Sequence, residues 1–592
     1  MRKACGVVAV LLLACAAFAQ NMNLDARRKA LSDLLTEQWE YRLRTSPEFA
    51  TIIGDKRYND RVSDFSQKAI DDDLAQTKRF LDRVEKIDTS GFPEQEALNQ
   101  ALMDRQLRNE LEGARFKGWE MPVNQMGGVH LELPQFVTLI PFTSVKDYED
   151  YIARLKQVPR VFDENMVQMR NGERDHLMPP KFLLEKVVTQ ARNIAGMPVE
   201  KTPFALPVEK FPAGISDADQ KRLRNAVLDQ VRVSVLPAYV KFAKFVQEEY
   251  APKGRSEPGV WSLPDGAQRY AFAVKRSTTT DMTPEQIHQL GLQQVAEIEA
   301  QMLAIAQKLG YKGIQSFNTA IDNDPKLHDR LYAHSRQEIL DLYRKYTDQM
   351  WDQLPQLFGR LPKAKLEVRP IEEFHEKEAS THYDQGTPDG SRPGHVMVNT
   401  GDYEHRKLIS SESTAYHEGV PGHHMQISIA QEMPGLPPFR QHMFFVAYVE
   451  GWALYSERLG KEIGFYQDPF SDYGRLQDEM LRAIRLVVDT GFHYKKWTRQ
   501  QVVDFFHAHS AIDEPDVQSE TDRYMTWPGQ ALGYKIGQLK ILELREHAKK
   551  ELGGRFDVRT FHDEILGAGA LPLDVLETRV NAWIAEQKKT AR

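Results

Sequence analysis

Apolar residues recur at three- and four-residue spacing through eight long stretches of this chain, and that period points to helix. The stretches are 24–44, 70–87, 93–116, 145–171, 216–250, 284–308, 336–354 and 574–587. Thr283 is placed to cap the sixth, with Gln286 three residues on. Pro355 marks an expected stop for the seventh. Strand character is thin: Leu366-Glu367-Val368 and His395 to Val398 alternate weakly, and turn-rich Gly386-Thr387-Pro388-Asp389-Gly390 lies between them. The expected fold is therefore predominantly α, with a small β-sheet ahead of the region that carries the chemistry. Proline and glycine clusters punctuate the chain, but none is long enough for a clear linker. We expect a mainly helical N-terminal part over 20–360, continuous with a catalytic part over 361–592.

Of the 592 residues, 41% are hydrophobic and 27% charged, which is the mix of a globular protein with a large core. Seventy-seven basic and 84 acidic residues leave a formal charge of −7. That balance excludes a broad nucleic-acid-binding surface.

Residues 1–19 read as an export signal. Met1-Arg2-Lys3 is positively charged, Ala4 to Ala14 is an apolar run too short to span a bilayer, and Ala17-Phe18-Ala19 has the small-residue pattern of a cleavage site. The mature chain is expected to begin near Gln20 and to be periplasmic or secreted. Leu12-Leu13-Ala14-Cys15 forms a loose lipoprotein box, so anchoring through Cys15 is the lesser alternative. Both cysteines, Cys5 and Cys15, fall in this segment. The mature chain therefore has no disulfide framework, thiolate metal site or cysteine nucleophile.

The chemistry concentrates between Tyr416 and Tyr534. His417-Glu418-Gly419-Val420-Pro421-Gly422-His423-His424 sets a Glu beside one histidine and before two more. In zinc hydrolases two imidazoles hold the ion, and the adjacent Glu takes a proton from the water that the metal polarises. The usual spacing is i, i+4, where both rings share a helix face. Here i+4 is Pro421, and the first histidine is at i+6. On a straight helix six residues rotate about 600° and rise about 9 Å, and His424 would lie about 10.5 Å along the axis. The helix must deform between the histidines. Proline removes a backbone hydrogen bond and glycine opens backbone angles closed to other residues, so Val420-Pro421-Gly422 supplies the means.

Phe444 to Tyr455 is nearly all apolar and contains one carboxylate, Glu450. A buried carboxylate needs a cation or a proton. Zinc fits that need, since two histidines and one carboxylate with an open fourth position form a catalytic zinc site. A salt bridge from Glu450 to an arginine is the bland alternative. Glu457, seven residues on and next to Arg458, is either a partner of the centre or half of a surface pair.

Four blocks in order, HEGVPGHHMQ from His417, EGWALYSE from Glu450, RLVVDTGFH from Arg485 and RYMTWPGQALGYKIG from Arg523, resemble the bacterial family catalogued as domain of unknown function 885, which is grouped with the gluzincin metallopeptidases. The resemblance implies a large helical zincin-like hydrolase with a deep substrate channel and one Zn²⁺ per chain. It implies ligands His417, His423 and Glu450, with Glu418 as general base, and favours His423 over His424.

A zinc peptidase also needs a donor for the developing oxyanion. Tyr534, Tyr524 and His493 lie in the family-like blocks and are the candidates, with Tyr534 preferred because it follows the Trp527-Pro528-Gly529 turn beside Lys535. Arg485 and Asp489 are spaced as an i, i+4 ion pair. Arg485 is also a candidate substrate-binding residue, and Arg482, Arg523 and Lys535 are further candidates to anchor a substrate carboxylate. The stretch from Asp389 to Asn399 resembles the family too, and His395 to Asn399 is expected to be an edge strand that pairs with substrate, with Asn399 at the site. The expected activity is zinc-dependent hydrolysis of small peptides. The alternatives are amidohydrolysis of a non-peptide substrate, which would use the same residues, and an inactive peptide-binding protein.

Overall fold

A computed structural model describes residues 2–371, 376, 379–388, 390 and 392–589, with side chains from residue 23 onward. The side chains of Cys5, Cys15 and Ala17-Phe18-Ala19 lie outside the described set, as do Asp389 and Ser391. The chain is predominantly helical with one three-stranded sheet. No described helix is long and apolar enough to cross a membrane.

The chain forms two compact units. The first comprises residues 1–256 with 437–439, and the second comprises 257–436 with 440–592. The division thus falls at Ser256/Glu257, ahead of the expected 360/361. The reason is packing: Gly266–Thr278, Pro284–Lys308 and Arg336–Leu357 lie against helices of the chemistry-bearing region, so the second unit gathers them.

Unit 1 is built from helices around an apolar core that includes Tyr148, Val161, Phe162, Val187, Tyr239 and Phe242. Two expected helices are subdivided. The stretch 145–171 is two helices, Val145–Leu155 and Val158–Arg174, because Pro159 fits only the first turn of the second. The stretch 216–250 alternates α-helix with two wide π turns, Val231–Val235 and Val246–Tyr250. Pro237 follows the first of these and cannot supply the backbone N–H that a regular turn needs.

In unit 2 the elements that matter here are α1 (Pro284–Lys308), α2 (Arg336–Leu357), β1 (Leu366–Pro370), β2 (His382–Asp384), β3 (Gly394–Val398), α3 (Ser411–Glu418), α4 (His423–Gln431), α5 (Val446–Glu462), α6 (Pro469–His493), α7 (Glu514–Thr526) and α8 (Leu532–Leu552). The expected cap of α1 is present in both directions: Thr283 accepts from the Gln286 N–H, and the Gln286 side chain accepts from the Thr283 N–H. Pro355 does not stop α2. It is accommodated in the last turn, which closes on Leu357 with the Phe358 N–H donated to the Leu354 carbonyl.

The sheet runs β1-β3-β2, with β3 parallel to β1 and antiparallel to β2. This corrects the expected role of His395 to Asn399. β3 is central, all five of its residues are buried, and both of its edges are paired, so it has no free edge for a substrate backbone. The missed strand, β2, has only three residues and adjoins the turn-rich segment, too little for a period to register. Val396 and Val398 pack with Ile339, Leu340 and Tyr343 of α2 and Ala415 of α3, which sets the sheet directly beside the histidine-bearing helix.

Helices α5 and α8 cross at two glycines, with α-carbons at Gly451 and Gly537 in close approach. A Cβ on Gly537 would stand 1.8 Å from the Ala447 carbonyl oxygen, so any side chain there forces the helices apart. Overpacking of this kind typically costs about 1–3 kcal/mol. We expect Gly537→Ala to fall at or above the top of that range, read as a lower urea midpoint at unchanged m-value.

Candidate metal centre

Helix α3 ends with the Gly419 N–H donated to the Ala415 carbonyl. The chain then turns through Val420, Pro421 and Gly422, with a cis Val420–Pro421 bond, and α4 begins at His423. Two backbone bonds stitch the break: Gly422 N–H to the Tyr416 carbonyl at 3.0 Å and His424 N–H to the Gly419 carbonyl at 3.1 Å. Gly422 is required by contact, since a Cβ there would lie 2.0 Å from the His417 carbonyl oxygen. The indole N–H of Trp452 on α5 donates to the Pro421 carbonyl at 2.9 Å and ties the turn to the helix that carries Glu450.

The deformation expected from the sequence is therefore present, and it sets the His417 and His423 rings perpendicular at 4.8 Å between centroids. Their Nε2 atoms stand 3.7 and 3.5 Å from one oxygen of Glu450. One potential ligand atom from each of the three residues lies within 4.8 Å of the other two. The expected alternative, an arginine against Glu450, is absent among the described residues: its near partners are the two imidazoles.

Glu457 lies two turns along α5 from Glu450 and is buried. It accepts a hydrogen bond of 2.8 Å from His417 Nδ1, which leaves Nε2 to face the cluster. Arg482 stands behind it, with a guanidinium nitrogen 3.9 Å from Glu457. Glu457 is thus a partner of the centre and not half of a surface pair. Glu418, next to His417, is half-buried. Burial works against a charged His417, but the Glu450 and Glu457 carboxylates, with Glu418 nearby, outweigh it and push its pKa up to about 10. Burial likewise opposes ionisation of Glu450, yet the two histidines hold it below the usual carboxylate range. The pocket is rich in negative charge and suited to a cation. His423 Nδ1 and one oxygen of Glu457 are buried without a hydrogen bond.

His424 points elsewhere. It is fully buried, with Nδ1 3.0 Å from the Tyr383 hydroxyl of β2 and Nε2 3.2 Å from the Ala364 carbonyl. Burial pushes its pKa down to about 4, so it is a neutral clamp between α4 and the sheet.

The candidates around the centre separate clearly. The α5–α8 crossing brings Tyr534 towards Glu450: burial, then the Glu450 charge, raises its pKa. The phenol ring lies under the Arg485 guanidinium at 4.7 Å, and its hydroxyl is 3.4 Å from Arg523. Tyr524 is fully buried, and its hydroxyl is committed to Glu520 and to Arg485 at 3.1 Å. His493 is committed at both ring nitrogens, to the Val260 N–H at 3.1 Å and the Tyr524 carbonyl at 2.9 Å. Asn399 spends its amide on the Glu376, Ala379 and Gly401 backbone. Lys535 is buried on Glu479 at 2.6 Å.

The expected Arg485–Asp489 pair is not formed. Arg485 pairs with Glu520 at 3.0 Å, whereas Asp489 accepts from the Tyr270 hydroxyl at 2.7 Å and from the Gly529 N–H. A tertiary neighbour on α7 outcompetes the neighbour on the same helix. Burial pushes Asp489 up to about 7. Its contact with Gly529 holds the Trp527-Pro528-Gly529 turn that leads into α8. Glu520 was missed by the sequence reading, although its i+3 and i+4 spacing to Arg523 and Tyr524 was the available signal.

The family described as "bacterial protein of unknown function (DUF885)" matches residues 47–580. A candidate lipoprotein of known crystal structure from Colwellia psychrerythraea is 31% identical, with a TM-score of 0.90 over 95% of this chain and 100% of the other. A candidate lipoprotein of unknown function from Shewanella oneidensis shares the fold at 18% identity, with a TM-score of 0.70 over 93% and 99% of the two chains. No curated protein matches the sequence.

His424→Ala would remove its hydrogen bonds to the Tyr383 hydroxyl, which still has Ser428 and the Gly386 backbone, and to the Ala364 carbonyl, and would empty a fully buried side-chain site, at about 1–3 kcal/mol in all. In chelator-treated protein we expect His424→Ala to lose about 1–3 kcal/mol more stability than His423→Ala, measured by urea unfolding. Equal losses would contradict the structural role of His424.

Proposed function

The chain belongs to the bacterial family of unknown function DUF885, and we propose that it is a zinc-dependent hydrolase of the gluzincin type that cleaves peptide bonds in small peptides. The observation that carries this reading is the convergence of His417, His423 and Glu450 from three helices onto one point. Ligand atoms at about 2.0–2.2 Å from a tetrahedral zinc stand about 3.3–3.6 Å apart. The separations of 3.5 and 3.7 Å from Glu450 to the two imidazoles are close to that range. The donor set also fits, since two imidazoles and one carboxylate leave a fourth position open.

When bound, zinc supplies Lewis acidity towards a water molecule and the scissile carbonyl. The protein's own groups do the rest. Glu457 accepts from His417 Nδ1 and so keeps the tautomer whose Nε2 lone pair faces the cluster. Glu418 accepts the proton of the attacking water as its oxygen adds to the carbonyl carbon. It returns that proton to the amine nitrogen when the C–N bond breaks. The Tyr534 hydroxyl donates to the carbonyl oxygen as negative charge develops there. The committed hydroxyl of Tyr524 and the doubly bonded ring of His493 argue against either in that role.

We also read the chain as exported. The charged start, short apolar run and Ala17-Phe18-Ala19 support this, and so do the two similar structures described as candidate lipoproteins.

Metal analysis should find one zinc per chain, lost in His423→Ala and kept in His424→Ala. Glu418→Gln should keep the zinc and lose about 10²-fold or more in kcat, the scale of a general acid–base group. Loss of zinc from that variant would instead make Glu418 a ligand. Tyr534→Phe should lower kcat by about 10–10³-fold with zinc and folding intact, near the cost of one oxyanion donor. A silent Tyr534→Phe beside a crippled Tyr524→Phe would exchange the two roles.

A further inference from the structure

Beside Tyr534 lies a charge cluster that does not balance. Arg485 of α6 and Arg523 of α7 both pair with Glu520, at 3.0 and 3.1 Å, and Glu520 is the one carboxylate paired with either among the described residues. Two positive charges thus meet one negative charge in a largely buried setting. The two arginines are not equivalent. Arg485 is 6% exposed, and its guanidinium also engages Tyr524 and lies over Tyr534. Arg523 is 16% exposed, its Nη2 reaches Gln530 at 2.8 Å and the Tyr534 hydroxyl at 3.4 Å, and its Nε is buried without a partner, as is that of Arg482. Arg523, Gln530 and Tyr534 are all partly exposed, unlike Arg485 and Tyr524. The other basic candidates are engaged differently: Lys535 is buried on Glu479, and Arg482 backs Glu457.

An unbalanced, partly exposed guanidinium is suited to a carboxylate. We propose that Arg523, resting on the Arg485–Glu520 pair, anchors the free α-carboxylate of the substrate, so that the centre cuts near the C-terminus of short peptides. This rests on the peptidase reading above. Reach supports it. A carbonyl oxygen held about 2.7 Å from the Tyr534 hydroxyl lies within about 6 Å of Arg523 Nη2. One extended residue spans about 3.3–3.6 Å. The carboxylate therefore belongs to the first or second residue past the scissile bond.

The test uses the zinc-loaded protein with N-acetylated tetrapeptides as free acid and as C-terminal amide. Wild type should cleave the acid at its last or penultimate bond with kcat/KM at least about tenfold above the amide. Arg523→Gln should bring that ratio close to one with zinc content unchanged, and Arg523→Lys should restore part of it. A second readout does not need turnover: calorimetric titration of the same peptides into Glu418→Gln protein should show the acid bound at least about tenfold more tightly, a preference lost when Arg523→Gln is added. Equal handling of acid and amide, or a preference that survives Arg523→Gln, overturns the assignment. So does an amidated peptide ending in Glu that matches the acid, because the carboxylate would then be a side chain's. Absence of cleavage of every peptide by zinc-loaded wild type refutes the peptidase reading, while the titration still decides the anchor.

Discussion

Two histidines six residues apart on a straight helix face different directions, and everything at the centre depends on removing that obstacle. The four residues from Gly419 to Gly422 end one helix and start another within a single stitched turn. Gly422 permits a backbone-on-backbone contact that no side chain could share. The imidazoles are then brought side by side, and a carboxylate from the apolar first half of α5 meets both. Glu450 is costly in that setting without a cation. The break and the buried carboxylate are thus complementary: one gathers the imidazoles, and the other sets a carboxylate against both.

The same logic extends outward from the centre. Glu457 sets the orientation of His417, and Arg482 sits behind Glu457. His424 is turned the other way and fastens α4 to the sheet. Adjacent histidines on one helix start therefore do different work, because successive side chains on a helix point about 100° apart. The glycine contact between α5 and α8 brings Tyr534 towards Glu450, and the guanidinium of the Arg485–Glu520 pair lies over that phenol.

Much of this was legible in residue order. The long helical periods appear as helices, the Thr283 cap forms with Gln286, and the Val420-Pro421-Gly422 segment interrupts its helix. Errors fell where local pattern met a tertiary competitor. His395 to Asn399 reads as an edge strand until β2, too short to carry a period, covers its second side. Arg485 and Asp489 have ideal spacing for each other, yet each finds a partner from another element. Asn399 and His493 sit in suggestive blocks, but their polar atoms are consumed by backbone groups distant in sequence.

The sequence by itself determined the helical class, the position of the helix break and the set of residue types able to hold a metal, because period, proline–glycine chemistry and donor identity are local properties. Only the tertiary structure decided which histidine faces Glu450, which tyrosine stands beside it and which arginines share Glu520. Those outcomes depend on helix crossings between residues far apart in the chain, where burial removes water as a competitor and each polar atom must find its partner among whatever the packing brings near.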